Sequence, residues 1–150
     1  MNLPAFAKLD PAQSADALRA TLAESRQKIA ALTEQALPNW ETFIEPMENL
    51  SDQVSAVWGP ISHLFGVWST PAWRAAYNQA LPEITSYGVE LSQDEALFHA
   101  YERLAAHPAF AGYSPTRRKV VGDALRDFRL SGIALPAAQK ARYKTLSLRL

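Results

Sequence analysis

Apolar side chains recur at steps of three and four residues along nearly the whole chain, and this spacing limits the fold more tightly than any other feature. It is the period of an α-helix with one buried face. Ala15, Leu18, Leu22, Ile29, Leu32 and Ala36 make the first stripe, with Ser25 filling its gap. Met47, Leu50, Val54, Trp58, Ile61, Phe65 and Trp68 make the second. Trp73, Tyr77, Leu81, Ile84 and Leu91 follow, then Leu97, Tyr101 and Leu104, then Val121, Leu125 and Phe128. Alternating strand patterns bounded by hairpin turns are missing, as are Asn-Gly and Asp-Gly. The pattern predicts an all-α fold, an irregular bundle of antiparallel helical hairpins, with residues 1–150 as one helical domain.

Capping residues followed by proline punctuate the stripes. Asp10-Pro11, Thr70-Pro71 and Ser114-Pro115 each pair a side-chain acceptor with a ring suited to the first helical position. Asn39 can cap the region that opens at Trp40, and Ser92 a segment from Gln93 to Ala106. Pro46, Pro60 and Pro82 lie inside apolar runs. A kink or break is expected near Pro46 and Pro60, because each removes a backbone donor, and the stripe that continues in register across Pro60 favours a kink there over a full stop. Pro108 and Gly112 mark a loop, Gly132 sits where a helix C-cap belongs, and Pro136 opens a last helix.

Composition excludes several classes. The 150 residues hold 15 basic and 15 acidic side chains and no cysteine. A disulfide scaffold, an iron–sulfur site and cysteine catalysis are therefore out. Balanced charge argues against a nucleic-acid binder. No window reaches the length of a membrane span, and the proline-interrupted start does not read as a signal peptide, so a cytoplasmic location is expected.

Four groups could carry chemistry. Glu95, His99 and Glu102 fall on one helical face, but no second stripe completes a metal site, so a solvated face with a Glu95–His99 pair is expected. Glu41, Glu45 and Glu48 read as acidic residues favoured near a helix start. Arg117, Arg118 and Lys119, with Arg126 and Arg129, alternate with Asp123 and Asp127 and read as an exposed mixed-charge face. Trp58, Trp68 and Trp73 read as core, and Trp40 as an anchor at a helix start. His63, His99 and His107 form no His-Glu-x-x-His pair, and there is no Gly-x-Ser-x-Gly or phosphate loop. No catalytic, cofactor-binding or metal-ligating residue is assigned.

One segment says more. Asp123 to Pro136 reads DALRDFRLSGIALP and resembles a stretch in the N-terminal half of the thimet-type zinc oligopeptidases of the oligopeptidase A kind. Collinear with it, Leu3-Pro4-Ala5-Phe6 resembles the family's Leu-Pro-x-Phe. Pro60-Ile61-Ser62-His63-Leu64 resembles its Pro-x-Ser-His-Leu. Thr70-Pro71, Tyr77 and Leu81-Pro82 resemble its Ser-Pro…Tyr…Leu-Pro. The resemblance implies a parent zinc metalloendopeptidase that hydrolyses short peptides. Its His-Glu-x-x-His zinc helix lies beyond the region matched. This part would wall the substrate channel and carry no catalytic residue, and its partner would be the catalytic half of the same polypeptide.

The last stripe, Tyr143, Leu146 and Leu150, runs to the final residue without a cap, which suggests a helix that continues. If a catalytic half packs here, Leu146, Leu150 and parts of the Met47–Trp68 stripe should be exposed. The alternative is a stand-alone helical interaction module. An in-frame continuation to His-Glu-x-x-His beyond codon 150 would separate the two.

Overall fold

A computed structural model describes residues 6–147. Six α-helices account for most of it: α1 (Pro11–Thr33), α2 (Glu45–Val67), α3 (Pro71–Ser92), α4 (Glu95–Ala106), α5 (Pro115–Leu130) and α6 (Ala137–Ser147). Short 3-10 turns occupy Phe6–Lys8 and Pro108–Gly112, and a π-helical turn at Trp40–Ile44 leads into α2. No strand occurs among the described residues. The all-α reading holds. Leu3 to Ala5 and Leu150 lie outside the described residues.

The proline starts behave as their chemistry dictates. Asp10 caps α1 through Ala12 N–H at 2.9 Å, and Thr70 caps α3 through Trp73 N–H at 3.3 Å. Ser114 caps α5 through Arg117 N–H at 3.2 Å. Asn39 forms a reciprocal capping box with Thr42. For α4 the expectation fails: Asp94 is the cap, accepting from Leu97 N–H at 3.0 Å, while Ser92 ends α3 and bonds the Val89 carbonyl. No break falls at Pro46: the Asn39-capped π-helical turn Trp40–Ile44 runs directly into α2, with Ile44 helical and Glu45 N–H bonding the Trp40 carbonyl, so the departure from regular α-helix next to Pro46 is that π turn. α2 also remains one helix through Pro60, and α3 through Pro82.

Helices α1, α2 and α3 form the centre, with α2 antiparallel to both neighbours across short turns. α1 and α3 run parallel, as three side-chain pairs in rising order show: Arg19–Glu83 at 3.4 Å, Ser25–Tyr87 at 2.7 Å and Arg26–Glu90 at 2.8 Å. Helix α4 packs on α1, α5 on α4, and α6 on α3. The α1 stripe is buried as expected through Ala15, Leu18, Leu22, Ser25 and Ile29. Ala36 is exposed, because the helix stops at Thr33.

The α3 face departs from its pattern of large residues. Its buried positions are Trp73, Ala76, Ala80, Tyr87 and Val89, whereas Leu81 is exposed and Tyr77, Ile84 and Leu91 are half-buried. Small Ala76 and Ala80 let neighbouring backbones approach closely. That turns the helix so that an alanine stripe, not a leucine stripe, faces inward.

Candidate functional site

The segment DALRDFRLSGIALP forms the second half of α5 and the turn that ends it. Ile133 N–H donates to the Phe128 carbonyl at 3.1 Å, and Gly132 N–H to the Arg129 carbonyl at 3.2 Å. This pair of bonds is a Schellman motif. Gly132 holds φ +80°, and a Cβ there would lie 2.9 Å from Leu135 Cγ, so both the backbone angle and the space require glycine. Phe128 and Ile133, the two residues bracketing the motif, are both buried in the core. The segment that carries the family resemblance is a helix stop, and its chemistry is capping and packing.

The other motif residues are likewise architectural. In Pro60-Ile61-Ser62-His63-Leu64, Pro60, Ile61 and Leu64 are buried, while His63 is exposed with its ring 5.3 Å from that of Phe6. Tyr77 stacks between Phe65, at 4.0 Å, and Trp58, at 5.3 Å.

The charged groups resolve into pairs. His99 Nδ1 lies 2.9 Å from Glu102 Oε2, and Glu95 accepts instead from Lys140 of α6 at 2.6 Å. The expected Glu95–His99 pair is thus replaced, because α6 brings a stronger cation to Glu95. That hydrogen bond and charge hold the Glu95 carboxyl below the usual carboxylate range. Arg117 reaches Glu41 at 3.2 Å and Glu45 at 3.9 Å, and lies 4.6 Å over the Trp40 ring and 5.9 Å from Tyr113. Trp40 N–H donates to Tyr113 Oη at 3.1 Å. Trp40 is therefore an anchor tying α2 to the start of α5. Lys119 pairs with Asp123, and Arg126 with Asp123 and Asp127, on an exposed face. Arg129 lies 5.9 Å from the Phe98 ring.

Among the described residues no three His, Cys, Asp or Glu side chains are grouped to hold a metal ion. The histidines are spent separately: His63 beside Phe6, His99 on Glu102, and His107 as acceptor for Ala109 N–H at 3.2 Å. These donors do not fit a zinc centre, which needs three or more convergent ligands.

Two of the concave surfaces have a mainly apolar floor with polar groups at the edge. A cleft of about 310 Å³ between α3, α4 and α5 is lined by Leu91, Leu97, Tyr101 and Phe128, with Asp127 at its edge. Burial first, and the nearby Glu48 charge second, push the Tyr101 phenol up to about 12, so it stays neutral. A groove between α1 and α2 has Leu32, Pro46 and Leu50 as floor and Lys28, Gln35, Asn49 and Gln53 as rim. Neither holds a paired acid and base.

Large apolar side chains are exposed at several places, Leu37 in the α1–α2 connection among them. Leu130, the last residue of α5, is 76% exposed and Leu146, in the last turn of α6, 52%. Val67 and Trp68 are 67% and 62% exposed at the α2–α3 turn. Trp68 was expected in the core. It ends outside because the last inward position of α2 is Leu64, one residue ahead of Phe65 in the simple stripe, and the helix stops at Val67.

The N-terminal domain model of neurolysin and thimet oligopeptidase matches residues 18–140. The chain belongs to the thimet oligopeptidase family. Oligopeptidase A of Escherichia coli (strain K12) is 34% identical over 99% of this chain, and oligopeptidase A of Haemophilus influenzae 33% over 99%. A probable cytosolic oligopeptidase A of Arabidopsis thaliana is 28% identical over 97%. The chain spans about a fifth of these relatives, 22%, 22% and 21% of their lengths. In this thimet oligopeptidase segment, the sequence resemblance and the Schellman turn coincide. Sequence reasoning missed the Ser25–Tyr87 pair, since a serine in an apolar stripe gives no sign of a partner 62 positions away.

Proposed function

We propose that this chain is the N-terminal, non-catalytic helical part of a cytoplasmic zinc metallopeptidase that hydrolyses short peptides. One observation carries the reading: nearly all of this chain aligns to about a fifth of each oligopeptidase A relative. The dispersed histidines support placing zinc, and the activated water it would supply, on the remaining polypeptide. This chain's own contribution is shape. Its helices form a wall beside the substrate path, and the α1–α2 groove offers a bound peptide an apolar floor with carboxamides at the rim.

The exposed side chains of Leu130 and Leu146 are where the catalytic half would pack. The test is a quenched-fluorescence assay with short peptides on the purified chain plus zinc. No turnover above buffer is expected. Zinc-dependent hydrolysis by this chain would overturn the division of labour.

A further inference from the structure

The walls of the cleft between α3, α4 and α5 are complete within this chain. Leu97, Tyr101 and Phe128 line it and are already buried, whereas Leu130 and Trp68 protrude as side chains that a covering polypeptide would take. Gly88 also lines the cleft, and a side chain there would meet nothing within 4 Å. About 310 Å³ of concave, mainly apolar space is left, which is the size of a small-molecule pocket. Its polar groups are few and unspent. Tyr101 Oη makes no hydrogen bond among the described residues, and only burial and the nearby Glu48 charge act on its proton. Because no sealed polar side-chain atom lacks a partner among those residues, Oη opens on accessible space. Asp127 is the one charged residue of the lining. Its Oδ1 accepts from Arg126 at 3.3 Å, while Oδ2 has no partner among the described residues. The neighbouring guanidinium groups are occupied: Arg126 is shared between Asp123 and Asp127, and Arg129 lies over the Phe98 ring.

We propose that this cleft binds a small organic cation, a primary ammonium group carried on an apolar body. The body takes the space between Leu91, Leu97 and Phe128, where burial of its surface drives binding. The head is selected by what the cleft offers. An ammonium has three donors and no acceptor, and Tyr101 Oη and Asp127 Oδ2 are both free to accept. The Tyr101 and Phe128 rings, with centroids 5.7 Å apart, both line the cleft, and an aromatic face attracts a cation. A carboxylate or phosphate head would instead meet the like charges of Asp127 and Glu48. A neutral head of the same size would forgo the Asp127 charge and bind more weakly. The cleft has no role in the peptidase reading, and either can fail without the other.

The test titrates the chain at neutral pH with three probes that share one apolar chain: hexylammonium, hexanol and hexanoate. Amide shifts in nitrogen–proton correlation spectra give both the affinity and the place of binding. Hexylammonium should saturate the chain at millimolar concentration, about tenfold more tightly than hexanol, with the largest shifts around residues 88–92, 97–101 and 124–131. Hexanoate should bind more weakly than either. Asp127→Asn should remove most of the preference for hexylammonium over hexanol while leaving hexanol binding unchanged. Gly88→Leu should block all three probes. Asp127 and Gly88 are exposed, and leucine is the better helix former, so both variants keep the fold. No binding of hexylammonium at millimolar concentration would overturn the proposal. So would affinity for hexanol or hexanoate equal to that for hexylammonium, shifts centred away from the cleft, a preference that survives Asp127→Asn, or binding that Gly88→Leu leaves intact.

Discussion

At the scale of single residues, buried polar contacts and one glycine decide most. Ser25 Oγ and Tyr87 Oη share a hydrogen bond of 2.7 Å inside the α1–α3 seam. Removing either partner strands the other, so Ser25→Ala and Tyr87→Phe should each cost about 1–3 kcal/mol. The double variant should lose clearly less than the sum, measured by urea unfolding. Gly132→Ala should cost about 1–2 kcal/mol from the left-handed angle alone, with the overlap on Leu135 adding to it. Tyr101 titrates at about 12 against 10 for an ordinary phenol. Its folded-state value is raised, so the folded chain holds this proton more tightly than the unfolded one. The stability this gives is complete below pH 10 and is lost as pH rises from 10 toward about 12. Tyr101→Phe should flatten that alkaline limb in pH-dependent melting.

Among the elements, α6 is attached unlike the rest. No residue of it is buried among those described, and its side-chain links to the body are Lys140–Glu95 and Lys144–Glu90. Burial of Glu90 opposes its charge. The bonds from Ser86, Arg26 and Lys144, with the Arg26 charge, outweigh that and keep its carboxyl below the ordinary 4.5. Lowered values mean stabilisation that is present above the usual carboxylate range and lost as pH falls through it. Amide protection in residues 137–147, relative to the intrinsic exchange rate, should therefore be weaker than in α1 and fall further with salt or mild acid, with Glu95→Gln reproducing part of the effect at neutral pH. Exchange in α6 as slow as in α1 would contradict this picture. Helix starts were legible because Asp10, Thr70 and Ser114 each sit before a proline. The α4 start was not, because Ser92 and Asp94 are both competent caps and only the path of α3 selects between them.

Over the whole molecule, the most exposed large apolar side chains are Leu37, Val67, Trp68, Leu130 and Leu146, while many charged residues pair across the flanks. Leu130→Lys with Leu146→Lys should lower binding of a hydrophobic dye yet move the unfolding free energy by no more than about 0.5 kcal/mol, because neither side chain is buried. A larger loss would mean that these side chains are packed in solution. Periodicity and capping chemistry, which act between residues close along the chain, fixed the helical class and most helix starts, while the family was legible only through the resemblance of the Asp123–Pro136 segment. Local spacing does not encode how a helix is rotated against its neighbours. That is why the alanine face of α3, the exposure of Trp68, the transfer of Glu95 from His99 to Lys140 and the Ser25–Tyr87 bond were settled only by packing. Each depends on groups far apart in sequence whose meeting is decided by close contact between whole helices.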